Sequence, residues 1–143
     1  MNLDTTFLRR CIGTLERALN EMGEQRGTGT DDFLRDVYRA ACVKEFELVL
    51  EQSGNLLRKR LAAFFANDRQ ADRLVFKDLF RHAAKHGLIE AEAAERWLRY
   101  RDNRNDTAHK YGEDFAEETL KLLPAFVADA KALADAIEAA GDG

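Results

Sequence analysis

Arg104 and His109 stand five residues apart in the run Arg104-Asn105-Asp106-Thr107-Ala108-His109-Lys110-Tyr111, and both side-chain types suit chemistry at phosphate. A guanidinium is a permanent cation whose planar fork matches phosphate oxygens. An imidazole exchanges a proton near neutral pH. In a chain with 15 Arg and 3 His, an arginine five to seven residues ahead of a histidine arises by chance about once. Arg81 and His86 supply such a coincidence. At roughly 100° per residue, positions i and i+5 of a continuous helix point about 140° apart. The sequence around Arg81 reads as unbroken helix, so that pair diverges. Arg104 and His109 fall where a helix gives way to a polar turn, and there the backbone can bring them together. Only the second pair is accompanied by the amide of Asn105 and the phenol of Tyr111. Arg104, His109 and Asn105 are therefore the candidate catalytic residues.

Charge distribution points to the same stretch. The chain carries −4 overall, yet residues 96–111 hold Arg96, Arg99, Arg101, Arg104 and Lys110 against Asp102 and Asp106, a local +3 that leaves −7 elsewhere. A basic patch on an acidic body fits a phosphate-rich ligand or a short RNA segment, with Arg101 and Lys110 as candidate phosphate or RNA contacts. It argues against extended non-specific binding to duplex, which needs many phosphate contacts. A solvated helix face accounts for the same charges.

The elements that must position these residues are helices. Pro occurs once and Ala, Leu, Glu and Arg dominate, all favourable to helix. The expected fold is all-α, an antiparallel up-and-down bundle of four to five helices in a single domain spanning 1–143, with 1–3 and 140–143 frayed. A first helix is expected over about 4–22, on a stripe of Leu8, Cys11, Ile12, Leu15, Ala18, Leu19 and Met22. The second is expected from about Phe33 to Phe65. Its apolar residues cover more than one face, which implies a bundle core plus a second interface. Gly54 in its middle costs about 1 kcal/mol relative to a good helix former and marks a kink or a close backbone approach. A polar loop over 67–72 leads to a third helix at about 73–86, stopped by Gly87 as a C′ residue. The fourth covers about 91–103. The motif turn follows, and a last helix runs from about Asp114 to Ala139, with Pro124 expected to kink it.

These elements, taken with the octapeptide, resemble the HEPN (higher eukaryotes and prokaryotes nucleotide-binding) superfamily, in its nucleotidyltransferase substrate-binding-like branch. The resemblance is carried by Lys44-Glu45-Phe46-Glu47-Leu48 on the long second helix, Gly87-Leu88-Ile89, Trp97-Leu98, then Arg104-Asn105 and His109. It covers roughly residues 3–138. Two departures are Gly54, where the branch often has a bulky residue, and Asn103, where an acid commonly precedes the arginine. The resemblance implies a toxin of a toxin–antitoxin pair, a metal-independent endoribonuclease whose composite site forms across a homodimer from two Arg/His motifs. It also implies a small nucleotidyltransferase antitoxin as partner, transferring AMP onto Tyr111. The alternative is a non-catalytic subunit holding a nucleotide or substrate for a separate nucleotidyltransferase. A third possibility is a purely structural motif, with Tyr111 packed over the start of the last helix.

Other constellations lead elsewhere only weakly. His82 and His86 at i, i+4 lack further ligands nearby, so neither a metal nor any cofactor is expected. Gly27-Thr28-Gly29 lacks the length and lysine of a phosphate loop. Cys11 and Cys42 read as buried thiols and Trp97 as core or interface. No apolar run approaches the roughly 18 residues of a membrane span, and the N-terminus lacks a signal-peptide core, so a cytoplasmic, membrane-free protein is expected.

Overall fold

The computed structural model describes residues 3–26, 32–65, 68–107 and 113–141, with side chains described outside 25–26, 32, 68, 104–107, 113–117 and 140–141. Among these residues the regular structure is all helical: α1 (Thr6–Arg26), α2 (Asp32–Leu61), a 3-10 turn (Ala62–Phe64), α3 (Asp68–Asp72), α4 (Phe76–Lys85), α5 (Ala91–Thr107) and α6 (Glu113–Gly141). The bundle expected from the sequence is thus present with six α-helices rather than four or five. The additional one, α3, is five residues long and occupies the stretch read as a polar loop. The cause is tertiary. One Nη of Arg58 on α2 donates to the carbonyls of Ala71 (2.8 Å), Asp72 (3.2 Å) and Leu74 (2.7 Å), supplying partners that the end of so short a helix lacks. No composition rule foresees them.

The 30-residue α2 is the central element, and at 1.5 Å per residue it is about 45 Å long. It packs on α1, α3, α4, α5 and α6. Much of the surplus apolar surface read from the sequence is therefore consumed inside the subunit. What remains uncovered is the first turns, where Phe33, Leu34 and Val37 stay exposed. The side-chain pairs fix direction: Arg9 meets Glu138 and Lys131 meets Glu16, so α1 and α6 are antiparallel. Arg96 meets Asp129 and Asn103 meets Thr119, so α5 and α6 are antiparallel as well.

A chain of rings fills the core where α2, α4, α5 and α6 converge. Phe80 stacks on Trp97 at 4.7 Å, and Trp97, Tyr100 and Phe46 each meet Phe126 edge-on within 5.5 Å. Edge-to-face pairs of this kind add about 0.5–1.5 kcal/mol beyond area burial. Trp97 is fully buried, a core residue.

Helix ends follow the residues. Gly87 has φ +79°, its N–H donates to Ala84 O and Leu88 N–H reaches back to Ala83 O, the two bonds of a Schellman cap on α4. Leu88 packs against the core beside it. α6 runs through Pro124, which lacks the amide donor of a normal turn, as one helical element. α6 extends to Gly141, so residues expected to fray as far back as 140 are partly helical.

Candidate phosphate site at the end of the fifth helix

α5 is amphipathic in a divided way. Its first three turns bury Ala94, Trp97 and Tyr100; its last turns carry Arg101, Asp102 and Arg104. The helix continues to Thr107, four residues beyond the expected boundary at 103. Arg104, Asn105, Asp106 and Thr107 therefore belong to the helix rather than to a turn. Asn, Asp and Thr are poor helix formers, which is why the sequence suggested an earlier end. His109, Lys110 and Tyr111 lie outside the described residues, as does the meeting of Arg104 with His109. The side chains of Arg104 and Asn105 are likewise outside them.

Two hydrogen-bonded braces hold this end of α5 to α6. Arg96 grips Asp129 bidentately, Nε to Oδ2 and Nη2 to Oδ1, both at 2.8 Å, and the Tyr100 hydroxyl donates to the same Oδ2 at 2.6 Å. Asp129 is nearly buried among Phe126, Val127, Ala130 and Leu133 of its own helix. Burial, and then donation to the Asp129 carboxylate, raise the Tyr100 phenol well above its usual value, so it stays a donor. The Arg96 guanidinium is raised too, by its bonds to Asp129, and is a fixed cation. One turn before the motif, Asn103 Nδ2 donates to Thr119 Oγ1 at 2.9 Å, tying the last turns of α5 to the buried face of α6. The residue that departs from the branch pattern thus has a structural partner here.

Arg101 is half-buried, with its guanidinium carbon 5.3 Å from the centroid of Phe76. It borders a cleft between α2, α4 and α5 that sequence reasoning missed, shared with Glu51, Gly54, Asn55, Arg58 and Phe76. The signal was half present. Gly54 was read as a close approach, and a Cβ at position 54 would stand 3.4 Å from Phe76 Cε2. Asp129 could have been found from its place on an otherwise apolar stripe. In the rival pair each residue has another neighbour: Arg81 is exposed with its charge 3.9 Å from Asp78, and His86, which caps α4 just past its last helical residue Lys85, stacks on Phe64 at 4.1 Å. No described helix is long and apolar enough to cross a membrane.

Comparison with known proteins decides the affiliation. The model of the family described as nucleotidyltransferase substrate binding protein like matches residues 5–139. The chain belongs to that family. It is the HEPN branch that the Arg/His motif and the order of helices resembled. The chain is also similar to a protein of Haemophilus influenzae named probable ribonuclease HepT, 29% identical over 100 residues that make up 70% of this chain and 67% of that one. A solved Haemophilus influenzae structure, described as revealing the fold of a substrate binding domain of a nucleotidyltransferase, superposes with a TM-score of 0.83. It is 24% identical and covers 94% of this chain and 98% of its own, which establishes the shared fold.

Proposed function

We propose that this family member is a metal-independent endoribonuclease acting as the toxin of a toxin–antitoxin module. The observation that carries the reading is the similarity to a protein named probable ribonuclease, joined to an Arg/His motif whose arginine lies in the last turn of a helix braced against α6. In the proposed reaction the ribose 2′-oxygen attacks the adjacent phosphorus. The 2′-O–P bond forms, the P–O5′ bond breaks, and the products are a 2′,3′-cyclic phosphate and a free 5′-hydroxyl. His109 takes the 2′-hydroxyl proton or returns one to the departing 5′-oxygen. Arg104 stabilises charge on the phosphorane-like transition state. Asn105 orients one of these groups or the phosphate by hydrogen bonds, and Arg101 and Lys110 hold flanking phosphates. One Arg and one His make a sparse site, so two motifs meeting across a homodimer form the composite centre.

Cleavage of RNA by the purified protein in excess chelator tests this reading. His109→Ala and Arg104→Ala should each lower the rate by at least about 100-fold, the scale of a lost acid–base or charge-stabilising group, with helical content unchanged. Full activity in His109→Ala removes the Arg/His motif as the catalytic centre, and no activity in the wild type returns the chain to the second reading, a non-catalytic subunit that holds a nucleotide for a separate nucleotidyltransferase. The family's description and the solved relative's favour that second reading.

Neutralisation is proposed to come from a small nucleotidyltransferase that transfers AMP from ATP to the Tyr111 hydroxyl: the phenolic oxygen bonds to the α-phosphorus, the α–β phosphoanhydride bond breaks, pyrophosphate leaves and the phenol proton passes to solvent. The new phosphodiester would set a negative charge beside Arg104 and a nucleotide across the RNA path. Light scattering of the chain alone should give a dimer mass, and intact-mass analysis after co-expression with the partner should show AMP additions lost in Tyr111→Phe. A monomer that still cuts RNA sinks the composite site. An unmodified chain in a fully neutralised complex sinks the transfer.

A further inference from the structure

The cleft between α2, α4 and α5 has a volume of about 280 Å³, at the lower end of small-ligand sites and suited to one ring system. Its shape depends on position 54. Without a side chain there, the Phe76 ring lies against the α2 backbone, and Arg101 lies over that ring. Arg58, one turn along α2, pins the carbonyls of the segment leading into α4 and so fixes where Phe76 begins. Glu51 and Asn55 are i, i+4 neighbours on the same α2 face. Both line the cleft. Neither side chain has a hydrogen bond or ion pair among the described residues, although two arginines border the same space. A cleft with a guanidinium over an aromatic ring, and with an exposed carboxylate and amide that have no partner among the described residues, offers groups that a planar polar ligand can use.

The chemistry of that ligand can be narrowed. An Arg plane backed by an aromatic ring is a surface on which unstacked RNA bases settle. An ionised Glu only accepts hydrogen bonds. Among the base edges, guanine alone presents two adjacent donors, N1–H and the N2 amino group, to a carboxylate. Adenine and cytosine place a lone pair beside their amino group, and uracil flanks its single N3–H with two carbonyls. The Asn55 amide can donate to guanine O6. Arg101 and Arg104 are one turn apart on α5, about 4.5 Å along the axis, so a base stacked on Arg101 lies one turn from the residue assigned to phosphate.

We infer that this cleft is a guanine-selective base subsite adjoining the Arg104 phosphate site. The inference deepens the ribonuclease reading and rests on it for the RNA context. Titration calorimetry with guanosine, adenosine and uridine 5′-monophosphates tests it directly, alongside cleavage of a single-stranded RNA containing one guanosine. The guanosine nucleotide should bind about tenfold more tightly than the other two, the scale of a charge-assisted hydrogen-bonded pair. Glu51→Gln should erase that preference with an unchanged melting temperature, since Glu51 is exposed. Arg101→Lys keeps the charge and loses the stacking plane, so it should weaken all three nucleotides alike. Equal affinities in the wild type, or a guanosine preference that survives Glu51→Gln, overturn the subsite. The two readings fail separately. RNA cut with His109 dependence but no base bias leaves the ribonuclease standing and removes the subsite. A Glu51-dependent guanosine preference in a protein that cuts no RNA keeps the subsite and removes the ribonuclease.

Discussion

α6 is held by two seams whose ion pairs have nearly identical lengths and very different settings. Against α1 it presents Asp135 and Glu138 to Arg9, and Lys131 to Glu16, at 2.7–2.8 Å in groups that are more than a third exposed. Against α5 it presents Asp129, with a side chain 9% exposed, to Arg96 and Tyr100. Distance does not rank these contacts; hydration does. Exposed pairs typically contribute about 0–1 kcal/mol, because water solvates the separated charges almost as well. Removing one member of a buried set leaves its partners without water or protein. The exposed ion pairs of the α1 seam thus add little, while the α5 seam sets the position of the helix whose last turn carries Arg104.

Breaking the buried seam should have the larger effect. Asp129→Ala strands the Tyr100 hydroxyl in the core and frees Arg96, whose side chain is 35% exposed and can rehydrate. A loss of about 2–3 kcal/mol is expected, below the roughly 3–5 kcal/mol of a fully buried pair. For a chain of this size that lowers the melting temperature by roughly 6–12 °C. Tyr100→Phe, which leaves the Arg96–Asp129 pair in place, should cost about 1 kcal/mol. A change of less than about 2 °C in Asp129→Ala would show that hydration reaches this seam after all.

The exposed seam is sharpened by pH. The Glu138 carboxyl is held down to about 2 from 4.5, first by Arg9 and then by the Thr5 hydroxyl. Because the folded value is the lower one, folding favours the ionised form. Its contribution is complete above pH 4.5 and disappears as pH falls toward 2. Glu138→Gln should therefore melt slightly below the wild type at pH 7, and the gap should close on acidification through that window. A gap that is the same at pH 7 and pH 2 would mean the carboxylate is not the source.

What the sequence disclosed follows a physical division. Gly87 was legible because a left-handed residue at a helix end is a local requirement with a local signature. The bundle was legible because apolar periodicity is repeated over many turns. α3 was not, since it depends on Arg58 reaching thirteen to sixteen residues ahead. The extension of α5 through Thr107 was hidden for a related reason: Asn103 bonds across to Thr119, and propensity weighs each residue alone. At the candidate site, Arg101 was flagged for its charge, whereas Glu51 and Asn55 became visible only when Phe76 was seen lying against Gly54.

Both cysteines face inward, Cys42 fully buried on α2 and Cys11 nearly so on α1. Burial pushes the Cys42 thiol up to about 11, and burial together with the nearby Glu45 carboxylate raises Cys11. The thiolate is the reactive species, so at neutral pH neither sulfur offers much for an alkylating reagent or a peroxide to attack. The native chain is in that sense a blank background for labelling. A thiol introduced at Val75, which is 62% exposed and directly precedes the cleft's Phe76, would be the one addressable sulfur and would carry a dye or spin probe to the rim of the base subsite.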